Sequence, residues 1–293
     1  MYWFRPKIRI LPVLCIVVTS GALSACRGTD TTPMAPSQPP PVGSTIIYSA
    51  VGASDVIGFG SSKPCLPYED CDGGGYVWVA ARQLRAQRYT VKVVNLGIPT
   101  AVISRTFQDL ATQNGRTVAG NLIDQEMPFV EKDSTMVTVF TGANDVNAIT
   151  AALGNGAGGS DPVSYIDQKV SAFRNEYATL LSGIRGRAPS AHIIVLNLPN
   201  LGGLPYLAGA TIDQKRAAQR ASVAITTNVV NATANATVVD LMCDARLYQA
   251  SNYSSDGFHP NDSGYAILGA EIAQALTTSY PSPRSSCAQM TLF

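Results

Sequence analysis

The stretch TIIYSAVGASDVIGFG, Thr45–Gly60, joins an apolar β-type run to a turn of small residues that holds Ser54. Serine and glycine are common turn formers for purely conformational reasons, so the turn by itself favours a structural serine over a nucleophile. Further short β-branched runs alternate with longer helical patterns along the chain. This alternation predicts a parallel sheet covered by helices on both faces, in which ligands bind beyond the carboxyl ends of the strands.

Five runs carry the strand pattern, and helical patterns lie between them. The predicted strands are 46–51, 91–96, 135–140, 192–197 and 237–241, and the predicted helices lie near 75–88, 102–112, 162–185, 212–234 and 262–278. Asn261 or Asp262 is the predicted N-cap of the last helix, whose apolar residues recur at helical spacing. Together these elements predict an α/β fold: a three-layer α/β/α sandwich around a flavodoxin-like five-stranded parallel sheet.

Residues 1–25 have the pattern of an export signal. Arg5, Lys7 and Arg9 precede the apolar run LPVLCIVV, which leads to the small residues of GALSAC. The run is shorter than the about 20 apolar residues that a membrane span needs. Leu23–Cys26 resembles the lipobox of bacterial lipoproteins, where the cysteine is lipidated after cleavage, although an ordinary cleaved signal is the alternative. We therefore expect an exported lipoprotein of the cell envelope, anchored to a membrane through Cys26.

The rest of the chain divides into a linker and one domain. Residues 26–44 form a predicted Pro-rich linker with five prolines, which should be extended and unpacked. Residues 45–293 are long enough for one large domain. Cleavage before Cys26 removes three of the 21 basic residues and none of the 20 acidic ones, which leaves a net charge of −2. No basic surface therefore indicates nucleic acid as a partner.

Four cysteines lie in the predicted domain: Cys65, Cys71, Cys243 and Cys287. An even number in an exported protein favours disulfides, because oxidising compartments preserve them. Cys65 and Cys71 flank the short loop CLPYEDC and pair most naturally with each other, which leaves Cys243 for Cys287. A zinc site is the weaker alternative, because neither pair has metal-type spacing and the chain has only two histidines.

The residues that follow the predicted strands supply the groups that acyl transfer requires. Ser54 follows the first strand, Gly97 in NLGIP the second, Asn144 in TGAND the third, and Asp256 and His259 in SSDGFHP lie beyond the fifth. Asp256 can accept the imidazole Nδ1–H of His259, three residues later, while Nε2 faces Ser54. The backbone N–H of Ser54, close backbone approach at Gly97 and the side-chain amide of Asn144 would then form the oxyanion hole.

This combination resembles the SGNH (GDSL-like) hydrolase family, whose four blocks contribute Ser, Gly, Asn and His in that chain order. The match runs from Ser44 to about Tyr280, and TGAND together with DGFHP is its most specific part. The resemblance implies a serine hydrolase of esterase or lipase type that acts on a small-molecule, lipid or carbohydrate acyl ester, with no metal or organic cofactor. It leaves thioesterase, carbohydrate deacetylase, phospholipase and acyltransferase activities open.

The first block departs from the family pattern. It usually reads Gly-Asp-Ser, whereas here Ala53 precedes the serine and Asp55 follows it, so the role of the usual aspartate is not carried over. The alternative function is a non-catalytic surface lipoprotein that keeps the fold as a binding module. Loss of a triad member would favour this alternative, and no member is missing. His192 opens a predicted strand without a carboxylate at matching spacing, and we interpret it as structural.

Overall fold

The computed structural model of the protein describes residues 38–69 and 71–293. The predicted export signal 1–25, the predicted lipidation site Cys26 and most of the predicted linker lie outside the described residues. Within the described residues, no helix combines the length and the apolar character that crossing a bilayer requires.

Five strands form one sheet in the described chain. They are β1 Thr45–Gly52, β2 Thr90–Asn95, β3 Met136–Phe140, β4 His192–Leu196 and β5 Thr237–Val239. Their spatial order is β2-β1-β3-β4-β5, and every neighbouring pair is parallel. The carboxyl ends of all five strands therefore lie at one edge. The predicted fold class and the flavodoxin-like arrangement of the sheet are confirmed.

The strands β4 and β5 end slightly earlier than the sequence predicts, and the buried side chain of Asn197 binds the backbone that follows β5. Asn197 Oδ1 accepts hydrogen bonds from the N–H groups of Leu241 at 2.7 Å and Met242 at 2.9 Å. Its Nδ2 donates to Asp240 Oδ1 at 2.9 Å. These bonds satisfy the polar groups while the chain turns away from the strand direction.

Eight α-helices cover this sheet within the described residues. They are α1 Ser54–Ile57, α2 Tyr76–Ala86, α3 Arg105–Gln113, α4 Leu122–Gln125, α5 Ala143–Gly154, α6 Pro162–Arg187, α7 Ile212–Ile225 and α8 Asp262–Thr277. α7 continues as a wider helical turn over Thr226–Val230. Asn261 caps α8, because its side chain accepts hydrogen bonds from the N–H groups of Ser263 and Gly264.

The helices lie on both faces of the sheet. α2 and α8 pack together as one layer, and α3, α5, α6 and α7 contact one another in the other layer. The sequence prediction omitted α5, because the TGAND motif at its start reads as a turn. Val146, Ile149 and Ala152 are nevertheless buried at three-residue spacing, which is the signal that could have found this helix. The four-residue helices α1 and α4 are too short for periodicity to identify.

Both predicted disulfides are present, Cys65–Cys71 and Cys243–Cys287. The loop closed by the first one is attached to the end of β2, where Asn95 Nδ2 donates to the carbonyl oxygen of Cys65 at 3.1 Å. The second one joins the segment after β5 to the C-terminal segment across 44 positions of sequence. Both disulfides therefore join segments that lie outside the strands and α-helices.

His192 lies at the amino end of β4, the edge of the sheet opposite to the strand-end residues considered above. Its Nε2 is 2.8 Å from the hydroxyl oxygen of Thr237 on β5. The side chain thus links two neighbouring strands, as a structural histidine would.

Candidate active site

The turn between β1 and α1 positions Ser54. β1 ends at Gly52, whose φ is +152° and where a Cβ would lie 2.3 Å from the carbonyl oxygen of Phe140 on β3. Glycine is required for such a close approach of two backbones. The chain enters α1 at Ser54, and Gly58, with φ +74°, ends that helix. The Ser54 side chain therefore lies at the carboxyl edge of the sheet, and the residue is only 6% exposed.

Ser54 and His259 are 205 positions apart in the sequence and in direct contact in the structure. Ser54 Oγ lies 2.8 Å from His259 Nε2, and His259 Nδ1 lies 2.6 Å from Asp256 Oδ2. The His259 ring packs against Phe59 and Phe258, at centroid distances of 4.7 and 4.9 Å. The structure therefore brings the three predicted triad residues together in the order hydroxyl, imidazole, carboxylate. Such a chain can remove the hydroxyl proton and stabilise the resulting imidazolium.

The loop around Asp256 holds its carboxylate in place. Oδ1 accepts hydrogen bonds from the N–H groups of Phe258 at 2.9 Å and His259 at 3.0 Å, and from the Ser254 hydroxyl at 2.8 Å. Burial acts to raise the pKa of Asp256, but the hydrogen bonds from His259, Phe258 and Ser254 outweigh it and lower the pKa to about 2. The carboxylate is therefore ionised at neutral pH, with Oδ2 directed to the histidine.

Two of the predicted oxyanion donors have an unused N–H. The Ser54 N–H begins α1 and has no hydrogen-bond partner among residues 38–69 and 71–293. Asn144 is the second residue of α5, and its Nδ2 donates to the carbonyl oxygen of Ala101 at 2.9 Å. A side-chain amide carries two N–H donors, so one of them remains for a ligand.

Gly97, the third predicted donor, is engaged differently. Its N–H donates to Asn95 Oδ1 at 3.1 Å, so it must be shared with a substrate oxygen or released to bind one. A Cβ at this position would lie 2.6 Å from Val56 Cβ, so glycine is required for the loop after β2 to pack on α1. Gly97 thus sets how closely this loop approaches the helix that carries Ser54.

A cleft of about 350 Å³ opens over Ser54 and His259. Its walls include Phe59, Thr100, Arg116, Tyr206 and Phe258. Sequence reasoning assigned none of these five residues to the site. Phe59 and Phe258 lie within the quoted motifs but have no role in the motif chemistry, and the other three lie outside the motifs. A larger groove of about 1180 Å³ runs between α6 and α7 and contains none of the predicted site residues. The smaller cleft is therefore the one that a substrate of this site would enter.

Two buried carboxyl groups next to the site were also missed. Asp145 Oδ1 accepts the N–H of Ile103 at 2.9 Å. Burial, partly offset by that bond and reinforced by Glu176, raises the pKa of Asp145 to about 7. Burial likewise raises the pKa of Glu126 well above its usual range. Glu126 directly follows α4, which is too short for helical periodicity, so the sequence offered no signal for it.

Asp55, the residue that departs from the family pattern, contacts α8. Its Oδ1 accepts a long hydrogen bond of 3.4 Å from the hydroxyl of Tyr265, which donates more closely to the carbonyl oxygen of Phe59 at 2.6 Å. Burial raises the pKa of Asp55. This carboxyl group therefore lies at the contact between α1 and α8 rather than in the Ser54–His259–Asp256 chain.

One group of side chains in the described part of the chain is spaced to hold a metal ion: Cys65, Glu69 and Cys71. Its two sulfur atoms are bonded to each other. Because both sulfur atoms are in the disulfide, the Glu69 carboxylate is the one metal ligand that remains in this group.

The fold of this chain is similar to those of several solved structures. Among solved structures, the chain is similar to the lipase Lip_vut3 from a goat rumen metagenome, with 18% identity, a TM-score of 0.55, and coverage of 80% of this chain and 98% of that chain. Phospholipase A1 from Streptomyces albidoflavus NA297 matches with 16% identity over 79% of this chain and 99% of that chain, with a TM-score of 0.49. Identities this low support the fold alone.

The family of this chain is shown by its amino-acid sequence. No curated protein matches the chain. The family model described as the GDSL-like Lipase/Acylhydrolase family matches residues 50–267, well over half of the sequence. This span contains the end of β1, all four strand-end blocks and the beginning of α8. The chain belongs to the GDSL-like lipase/acylhydrolase family.

Proposed function

We propose that this protein is a serine hydrolase that cleaves acyl esters of esterase or lipase type, with Ser54 as nucleophile, His259 as general base and Asp256 as the group that orients the histidine. Family membership supports acyl hydrolysis as the reaction class. The observation that carries the residue assignment is the continuous chain from Ser54 Oγ to His259 Nε2 at 2.8 Å and from Nδ1 to Asp256 Oδ2 at 2.6 Å.

Acylation begins when Ser54 Oγ attacks the ester carbonyl carbon and its proton passes to His259 Nε2. The carbonyl oxygen becomes an oxyanion, which the Ser54 N–H and the free N–H of Asn144 stabilise, with the Gly97 N–H as a third donor once it turns from Asn95. Collapse of the tetrahedral intermediate breaks the bond to the alcohol oxygen. The alcohol leaves with the proton that His259 held, and the acyl group remains on Ser54.

Deacylation repeats these steps with water. His259 takes a proton from the water molecule, whose oxygen attacks the acyl carbon, and the same donors stabilise the second oxyanion. The proton then returns to Ser54 Oγ as the acid departs. Asp256, ionised throughout because its pKa is about 2, stabilises the imidazolium formed in both halves of the reaction.

The cleft is compatible with an ester that has both apolar and polar portions. Phe59 and Phe258 provide aromatic surface beside His259, while Arg116 and Asn147 provide polar groups. We further propose that the enzyme acts in the cell envelope, tethered through a lipid on Cys26 and the Pro-rich segment that follows. The lipobox-like sequence before Cys26 supports this location.

The residue assignment is tested with a fluorophosphonate probe and a panel of p-nitrophenyl esters of short and long acyl chains. We expect covalent labelling of Ser54 in the wild-type protein, no labelling in Ser54→Ala, and strongly reduced labelling in His259→Ala, where no base takes the proton. A purified, folded protein that neither reacts at Ser54 nor hydrolyses any ester of the panel would contradict the proposal and favour a binding module.

Asn144→Ala complements this test. Loss of one oxyanion donor should lower kcat by about 10²–10³, with a much smaller effect on substrate binding. Asn155→Ala is the matched control, because Asn155 is an exposed amide just beyond the other end of α5, bonded to Asn114. Equal effects of the two substitutions would show that Asn144 serves stability rather than catalysis.

A further inference from the structure

A carboxyl group is buried at the ends of β1 and β2, outside the lining of the cleft. Glu126 directly follows α4 and is 0% exposed. No lysine, arginine or histidine within the described residues forms an ion pair with it. Burying a carboxylate without a cation is unfavourable, and replacing buried charges by neutral groups of similar shape often stabilises a protein. Its presence here needs a reason other than stability.

The hydrogen bonds of Glu126 join the ends of two strands. Oε2 accepts the N–H of Gly52 at 2.7 Å, and Oε1 accepts the N–H of Ile98 at 3.3 Å. The Ile98 N–H also reaches the carbonyl oxygen of Gly52, at 3.3 Å. Gly52 lies two residues before Ser54, and Ile98 directly follows Gly97. One side chain thus connects the segment that carries Ser54 to the segment that carries Gly97.

This connection matters because the oxyanion donors belong to different segments. The Ser54 N–H lies on α1 after β1, whereas Gly97 lies on the loop after β2, and no backbone hydrogen bond joins Ser54 to Gly97 in the described chain. Donors stabilise a developing oxyanion only if their positions are set before the reaction. A small displacement of such groups lowers the rate even when the fold is retained.

We propose that Glu126 is a positioning residue that fixes the distance between the Ser54 and Gly97 segments and so holds the oxyanion hole in its working geometry, at the expense of stability. This inference rests on the proposed function above. Glu126 touches neither the substrate cleft nor the reacting atoms, and it acts only through the two backbone N–H groups that it binds.

Glu126→Gln is the informative variant. The amide oxygen can still accept the Gly52 N–H, but the amide nitrogen then faces the Ile98 N–H, and two donors meet. The loop after β2 then keeps the 3.3 Å bond from Ile98 to the Gly52 carbonyl oxygen and loses the one to Glu126. We expect kcat for a p-nitrophenyl ester to fall about 10-fold or more, with KM changed less than about 2-fold, because only transition-state stabilisation is lost. We expect the melting temperature to stay the same or to rise, because the amide cannot ionise and so avoids the cost of a buried carboxylate.

Glu131→Gln is the matched control. It makes the same chemical change five residues later, at an exposed side chain without a hydrogen bond in the described chain, and should leave kcat and the melting temperature unchanged. Amide hydrogen exchange gives a second measurement, in which peptides covering 96–104 should exchange faster in Glu126→Gln than in the control. If the glutamine variant does not fold, Glu126→Asp replaces it in the test. This variant keeps the carboxyl group but is too short to reach both donors, and it should also lower kcat.

The outcomes separate the two proposals. Wild-type kcat and unchanged exchange in Glu126→Gln, with an active wild-type protein, would overturn the positioning role and leave the proposed function intact. A loss of kcat that only parallels a lower melting temperature, or failure of both variants to fold, would make Glu126 a folding residue and overturn the inference. A wild-type protein without esterase activity or probe labelling would overturn both.

Discussion

Replacing Asp256 by asparagine should abolish the base function of His259 while keeping the shape of the site. The backbone N–H groups of Phe258 and His259 donate to Oδ1, so the amide oxygen of the variant stays at that position. The amide nitrogen must then replace Oδ2, 2.6 Å from His259 Nδ1. Because this nitrogen is a donor, Nδ1 must accept, and the proton of the neutral imidazole moves to Nε2. The histidine then donates to Ser54 instead of accepting its proton.

The expected loss follows from this change of tautomer. A reversed tautomer in a serine–histidine–aspartate site costs about 10⁴ in kcat. The Asp256 side chain is 39% exposed, so water can replace part of its effect. We therefore expect kcat to fall by about 10³–10⁴, which corresponds to ~4–5.5 kcal/mol in the activation free energy. Thermal unfolding at neutral pH should shift only modestly downward, because the backbone hydrogen bonds to the loop are retained while the ionised group that they favour is lost.

The assay compares kcat and KM of Asp256→Asn with those of the wild-type protein on one p-nitrophenyl ester, together with the rate of fluorophosphonate labelling. Ser254→Ala is the control, because it removes the 2.8 Å hydrogen bond to Oδ1 without changing the atom that faces His259. It should lower kcat less than about 10-fold, the equivalent of one hydrogen bond. If Asp256→Asn retained more than a tenth of the wild-type kcat, the orienting role of Asp256 would be refuted.

Two further predictions concern pH and the membrane. The pKa of Asp145 is raised to about 7 in the folded protein, so its contribution to the free energy of unfolding is present below pH ~4 and is lost as pH rises through 7. In urea unfolding, Asp145→Asn should therefore remove up to ~4 kcal/mol of the decline in stability between these pH values. Parallel curves of stability against pH for the wild-type protein and the variant would contradict this. If Cys26 is the lipid anchor, a labelled fatty acid should be incorporated into the wild-type protein and not into Cys26→Ser, and equal incorporation in both would rule out this site.

The amino-acid sequence by itself determined the layered fold and pointed to the candidate reacting groups. Alternating strand and helix patterns indicate a parallel sheet, and such a sheet brings the residues after its strands to one edge whatever their separation along the chain. Asp256 and His259 are three residues apart, so their contact depends on a local loop. Ser54 could be assigned because it follows the first strand and precedes the other blocks in the family's order.

Only the tertiary structure decided which residues surround and support that edge. The contact of Glu126 with Gly52 spans 74 positions, and that of Tyr206 with Asn147 spans 59. Helical and strand periods indicate which face of an element is apolar, but they carry no information about which distant backbone group a buried side chain will reach. The cleft walls and the buried carboxylates depend on how the helices return across the sheet. That arrangement is set by packing between elements, which no local pattern contains.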